Sequence, residues 1–385
     1  MNKTYKLNLE IITPCHVGSG ISLNTKEYLY GYNHQIVYFL NHLAWHKFIY
    51  THNLFAKYEN YLLKTPKSKN LYDWLISCNY SIEDLKQANA ISSSTLAPNN
   101  ILVNKQKRTL HEINCHIKQI DGSIYVPGSS IKGVIRSALM YHFITTQLNS
   151  SEYRKHITNS LNDILYAQNN DRYKLKQAQN RISSDLEKAF NSKLRKPDEN
   201  KLTGISCSDT LNKSIISTAI LPKKDIVINN FGQIKEAKLP LPIYRECILP
   251  QNNFEFMLTI DEAILAKLNI YSLKDLLAVI QKYFAFINNL FSNAFNKDAK
   301  CANLLAQTQK ANIYLGGNTG FLTKTLIAAL AKNNTEATKV IAKILANQFK
   351  KAGHHKDRYI APRTLKTTVY KDKSYLMGLA KVSLK

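Results

Sequence analysis

The chain has 385 residues, 44% of them hydrophobic and 22 of them tyrosine, which allows two domains with real cores and excludes wholesale disorder. Lys and Arg number 52 against 27 Asp and Glu, and the resulting charge of +25 calls for a polyanionic partner, nucleic acid by default. No run of 18 apolar residues could span a bilayer, and neither a lipidation signal nor a strongly apolar basic helix suits a membrane surface.

The first strand, over 5–11, shows period-two alternation. It starts so close to Met1 that no secretory apolar stretch is expected. It ends at Thr13-Pro14, and His16-Val17-Gly18-Ser19-Gly20 follows as a loop. A β-run at 35–40 precedes helical segments around 41–63 and 71–90, and residues 92–100 read as a loop. Strand character returns near 113–120 and 123–126. Pro127 and Gly128 then break the strand, and Ser129 or Ser130 is placed to cap a helix running to about residue 148. Ile131, Val134, Ile135, Ala138 and Leu139 recur at helical spacing and form its core face. Lys132 and Arg136 lie four apart on another face, close to the free N–H groups of the first turn. That arrangement predicts a phosphate seat.

From 150 to 196 the chain is polar, helical in pattern and rich in both charges, which predicts an inserted hairpin or mobile arm outside the core. Short β-runs follow at 204–210 and 214–221, and Pro222, Pro240, Pro242 and Pro250 mark a boundary region. The expected division is therefore 1–235 and 236–385, with helical insertions at about 41–90 and 150–196 in the first part. The second part opens with a strand at 254–260 and a long helix near 272–295. A short run at 313–315 leads into Gly316-Gly317-Asn318-Thr319-Gly320, and a helix near 336–349 and a basic tail close the chain. The elements recur in a β–α–β–β–α–β sense, so the predicted fold class is α+β, with two ferredoxin-like, RRM-like domains.

The second glycine loop ends in Lys324-Thr325, but Thr323 stands where a P-loop requires glycine, so nucleotide hydrolysis is not expected. Gly316, Gly317, Asn318 and Gly320, with Lys324 nearby, instead let backbone N–H groups approach a phosphodiester. Residues 351–385 carry seven Lys and two Arg against two Asp. Within them Lys356, Arg358 and Arg363 surround Tyr359, a mixture suited to a phosphate backbone with occasional base stacking. His42 and His46 lie four apart, yet no carboxylate or cysteine completes a metal set, and no metal or other cofactor is expected. The six cysteines are scattered without a C-x-x-C pair, as in reduced cytoplasmic proteins. His16, beside Gly18, Ser19 and Gly20, either lines an RNA groove or serves as a general base on a ribose 2′-hydroxyl. Glu27 is the only carboxylate between 11 and 58, which leaves no two-metal nuclease site in that region.

Three blocks follow one another across nearly the whole chain: Pro14-x-His16-x-Gly18-Ser19-Gly20, Pro127-Gly128-Ser129-Ser130-x-Lys132-Gly133-x-x-Arg136, and Gly316-Gly317-x-x-Gly320. Together they resemble the hallmarks of the RAMP superfamily of CRISPR proteins. Residues 317–325 and Tyr359-x-Ala361-Pro362-Arg363-Thr364 resemble, within it, the fifth-subunit family of type III-A Csm effector complexes. The resemblance implies two RRM-like domains and a cap on the crRNA 3′-side end of the Csm filament. It implies contacts with the crRNA and with the neighbouring RAMP backbone subunit. It also implies a part in guide maturation without RNA cleavage, with trimming left to a recruited host nuclease. On this reading the RNA contacts come from His16, Gly18, Ser19, Gly20, Ser129, Ser130, Lys132, Gly133, Arg136, Gly316, Gly317, Asn318, Gly320, Lys324, Lys356, Arg358 and Arg363. In the superfamily's backbone subunit an aspartate after the first strand cleaves target RNA. Here the comparable region, 35–45, offers Asn41 and no acid. The competing readings are a metal-free RAMP endoribonuclease processing CRISPR transcripts, with His16 as base and Lys132 or Arg136 steadying charge, and a generic RNA chaperone. The 150–196 segment matches no motif of the family.

Overall fold

The computed structural model describes residues 2–31, 35–64, 70–97, 110–168, 171–194, 204–212, 215–237 and 243–385. The elements that build the main core are, in chain order, β1 (Asn2–Ile11), α1 (Gly128–Thr146), α2 (Tyr153–Tyr166), α3 (Arg172–Leu194), β2 (Ile205–Cys207), β3 (Asn253–Asp261), α4 (Leu273–Phe295), β4 (Ile313–Tyr314), α5 (Asn334–Gln348) and β5 (Leu379–Leu384).

The alternation in β1 does what its period requires: Leu7, Leu9 and Ile11 are fully buried, while Asn8 and Glu10 between them are not. On one side β1 pairs antiparallel with β3, Leu7 opposite Phe256 and Leu9 opposite Phe254. On the other it pairs antiparallel with β5, Leu9 opposite Val382. The sheet order is β4-β5-β1-β3-β2. With α1 following β1 and α4 following β3, the strands β5-β1-β3-β2 have the β–α–β–β–α–β sense of a ferredoxin-like unit. Its strands come from both sides of position 235.

A seven-stranded sheet lies beside it, in the order Gly18–Leu23, Ile113–His116, Tyr244–Ile248, Thr218–Pro222, Ile91–Leu96, Ile36–Leu40, Tyr28–Leu29. It carries the helices of the 42–87 region, which close over their own small core of Trp45, Phe48, Tyr61 and Trp74. Asn41, Asn70 and Ser81 start these helices by accepting from the N–H of Ala44, Asp73 and Asp84. A third sheet, of four strands, joins Ile234–Glu236, Lys224–Ile228, Thr364–Tyr370 and Lys373–Leu376.

Three sequence expectations are corrected here. The loop expected at 92–100 is a strand as far as Leu96; Thr95 is buried and shares a hydroxyl hydrogen bond with Thr218 (2.7 Å) across the sheet. Its Ser-rich composition signals turns, but pairing on both sides outweighs that preference. The last residues of that segment, 98–100, lie outside the described set. The basic tail is no tail, since it supplies two strands of the four-stranded sheet and β5 of the central one. The 150–196 segment does form a helical hairpin, α2 and α3, but it belongs to the core: Ile157, Leu161, Ile164, Ala178, Ile182, Leu186 and Phe190 are all buried in the main cluster. These residues recur every three or four positions, so a full apolar stripe runs beneath a charged outer face. Residues 195 and 196 lie outside the described set.

Phe190 packs against Phe143 of α1 with ring centroids 5.6 Å apart. Phe190→Ala should therefore destabilise the protein by about 3–5 kcal/mol in urea unfolding. Tyr173→Ala, at a position 72% exposed on the same helix, should stay within about 0.5 kcal/mol. Equal small effects would mean that the hairpin is not part of the cooperative core.

Candidate nucleic-acid interface

Three segments far apart in sequence meet at His16. Its ring is 4% exposed and donates from Nδ1 to the carbonyl of Glu246 (2.8 Å). Burial lowers its pKa to about 4, so the ring is neutral near pH 7. The ring of His116 stands edge-on to it at 6.0 Å. His116 accepts the Val17 N–H at Nδ1 (3.1 Å) and donates from Nε2 to the Tyr125 carbonyl (3.1 Å). The main chain of His16 does the rest of the joining, because its carbonyl accepts the N–H of Gly317 at 2.6 Å. A Cβ on Gly316 would lie 2.3 Å from that same carbonyl oxygen, and its φ is +82°, so only glycine fits.

The loop that follows is held by its threonines. Thr319 and Thr323 share a hydroxyl hydrogen bond of 2.8 Å, and Thr323 donates to the Gly320 carbonyl at 2.9 Å. Asn318 and Gly320 are left-handed, with φ of 61° and 102°. The Asn318 side-chain nitrogen is buried without a partner among the described residues. Ser19 donates to the Cys115 carbonyl (3.2 Å), and Gly20 turns at φ 84° with open space around it.

Between this loop, the 17–18 segment and α1 lies a cleft of about 450 Å³. Its walls are apolar: Val134 of α1, Ile280, Phe284 and Ile287 of α4, and Ile313 of β4. Its polar groups are few, among them Ser130, Ser137, Thr319, Thr323 and Lys324. Partial desolvation lowers the pKa of Lys324. Gly18, Gly133, Gly316 and Gly317 also face the cleft. The structure thus brings together one residue or more from each of the three sequence blocks.

The phosphate seat at the start of α1 is not as the sequence suggests. Pro127 occupies the N-cap position with no side-chain cap, and Ser129 and Ser130 fall inside the first turn. The Gly128 N–H donates to Asp209 Oδ1 (2.8 Å), so a carboxylate already meets this helix end. Arg136 is ion-paired with Glu187 of α3. Lys132 is half-buried and has no ion pair among the described residues.

At the C-terminal block, Arg363 donates to Asp357 (2.5 Å) and to the carbonyls of Gly353 (2.7 Å) and Ala352 (3.1 Å). His354 holds the other oxygen of Asp357 at 2.8 Å. Arg363 therefore shapes its own turn, whereas Lys356 and Arg358 are exposed. Sequence reasoning missed Lys366, whose side chain lies 3.7 Å from where a Gly320 Cβ would stand. It also missed Arg245, one of whose guanidinium nitrogens is buried without a partner among the described residues. Lys366 and Lys223 share the single carboxylate of Asp225 at 2.8 and 3.4 Å, leaving the region behind the loop net positive. Each of these cations lies in or beside a strand whose alternation gave no sign of a site.

Residues 8–320 match the RAMP superfamily. The chain is 25% identical to CRISPR system Cms protein Csm5 of Enterococcus italicus over 371 residues, covering 91% of this chain and 87% of that one. It is 28% identical to the Csm5 protein of Streptococcus thermophilus over 335 residues, covering 84% and 80%. Its fold resembles a chain in the cryo-EM structure of a Csm-crRNA-target RNA ternary complex of a type III-A CRISPR-Cas system, with TM-score 0.64, 15% identity and full coverage of both chains. The crystal structure of T. onnurineus Csm5 superposes with TM-score 0.60 at 13% identity, over 97% of this chain and 99% of that one. A match over so much of the chain means that the protein belongs to the RAMP superfamily and is Csm5-like within it.

Proposed function

We propose that this protein is an RNA-binding structural subunit of a type III-A Csm interference complex. It caps the crRNA 3′-side end of the backbone filament, contacts the adjacent RAMP backbone subunit and aids crRNA maturation, with trimming left to a recruited nuclease. The observation that carries this reading is the convergence of the three blocks on one cleft, in a chain whose charge is +25. Nucleic acid is the polyanion such an excess attracts.

The protein does not itself cut RNA on this reading. The Glu246 carbonyl holds Nδ1–H, so only Nε2 could take a proton, and burial of His16 to 4% exposure keeps that atom from a ribose. Asn41, in the region where the backbone subunit carries its acid, serves as a helix cap.

Affinity for guide RNA should fall with salt. With roughly six phosphates neutralised, log affinity against log salt should have a slope of about −4 in fluorescence anisotropy, and a slope near zero would contradict the reading. Lys132→Ala with Lys324→Ala should weaken binding by roughly tenfold or more, since both ammonium groups lack intramolecular ion pairs among the described residues. Arg136→Ala should leave RNA affinity nearly unchanged and lower stability by at most about 1 kcal/mol, because its ion pair is partly exposed.

His16 supplies a further test. His16→Ala should leave single-turnover RNA cleavage by the assembled complex unchanged, whereas a general base would be worth about 100-fold or more. The same change orphans the Glu246 carbonyl and should lower stability by about 1–3 kcal/mol. Burial lowers the pKa of both His16 and His116, to about 4 and about 3, so the unfolded chain takes up protons first as pH falls below about 6.5. Stability from these two groups is thus full above that pH and is lost as pH falls toward 4. His16→Gln should flatten that fall in urea midpoints measured between pH 7 and 4.

A further inference from the structure

Gly133 has no reason within the chain to be glycine. It lies inside α1, where glycine is the least favourable residue after proline. Other glycines answer to the fold: a Cβ on Gly128, Gly204, Gly316 or Gly378 would come within 3 Å of other atoms, and Gly20, Gly122 and Gly320 have left-handed φ. Gly133 has neither feature, since no left-handed φ occurs there and a Cβ would meet nothing within 4 Å. It is exposed, and it faces the cleft. The missing side chain leaves room for something outside the chain to approach the helix backbone.

The cleft says what that is. Its floor of Val134, Phe284, Ile287 and Ile313 offers nothing to a phosphate and suits a flat apolar ring. Ser137 also faces the cleft, and its hydroxyl, which donates to the Gly133 carbonyl, can still accept from the amino edge of a base, while Lys324 gives a passing phosphate a cation. We infer that the cleft takes the base of one nucleotide turned out of the RNA stack, with its ribose crossing α1 where a Gly133 Cβ would stand. The inference rests on the RNA-binding reading above and specifies what that site holds.

The full chain is titrated with guide-strand RNAs from its own CRISPR locus, each carrying one abasic nucleotide at a successive position. One position should lose roughly tenfold or more in affinity, the others little. Gly133→Leu should lose a similar amount on intact RNA and no longer respond to that abasic position. Gly133→Ala should raise Tm by about 2 °C, as a better helix former, and still weaken RNA binding. If no abasic position stands out, or Gly133→Leu binds every RNA as the wild type does, the base slot is wrong while RNA binding stands. If Gly133→Leu keeps its RNA affinity but loses a partner subunit in pull-down, the cleft holds a protein side chain and the inference is overturned. Failure of the wild type to bind any of the RNAs would instead remove the functional reading beneath it.

Discussion

The fit of the His16 main chain against the second glycine loop is the constraint on which the rest depends. The His16 carbonyl accepts the Gly317 N–H at 2.6 Å, and a Gly316 Cβ would stand 2.3 Å from the same oxygen. Nothing larger than glycine permits that approach, so the first and last blocks are complementary halves of one contact about 300 residues apart in sequence. The ring is fixed in turn by the Glu246 carbonyl, and the Glu246 carboxylate accepts the backbone N–H of His116 (3.1 Å) and pairs with Lys118 (2.9 Å). Burial raises the pKa of Glu246 and Lys118 opposes that rise, so the node stays ordered at the cost of desolvating a charge pair. One buried histidine thereby joins the central sheet, the seven-stranded sheet and the loop that forms the cleft wall.

How much of this was legible in the sequence depended on whether the cause was local. β1, α1 and α4 announced themselves through their periods, and the residues read as the core face of α1 are those that pack, with Val134 only partly buried. The N-cap of α4 was equally local: Ser272 accepts the Asp275 N–H three residues on. The pairing of Arg136 with Glu187, 51 residues away, and of the Gly128 N–H with Asp209, 81 residues away, had no local trace. The two cations of α1 therefore read as equivalent, although folding gives one of them a partner. The hairpin of α2 and α3 misled in the opposite direction, because its charged outer face dominates the composition while a single stripe decides its place.

The same pairings explain how the charge excess is arranged. Several of the 27 acids are used internally: Asp209 at a helix start, Glu187 on Arg136, Asp357 under Arg363 and His354, Asp225 between Lys223 and Lys366. Asp209 meets backbone N–H, the other three neutralise cations that shape the fold, and further cations are left outward with no ion pair among the described residues. Lys356 and Arg358 are of that kind, flanking a buried carboxylate already met from inside. Surface potential here follows from where the carboxylates go, and the sign of a sequence block is a poor guide to which of its cations are available.

Glycine separates fold from function in the same way. Gly316 is required by the chain's own atoms, so its replacement would break the loop and would say nothing about a ligand. Gly133 meets no such requirement and weakens the helix that contains it. Both stand in blocks that would be read identically from sequence, as glycines of a binding motif. Only the surrounding space tells them apart, because a steric demand from within the fold appears as a nearby atom and a demand from a ligand appears as unfilled room. By that criterion Gly316 closes the structure, whereas Gly133 marks room that the chain's own packing leaves unfilled.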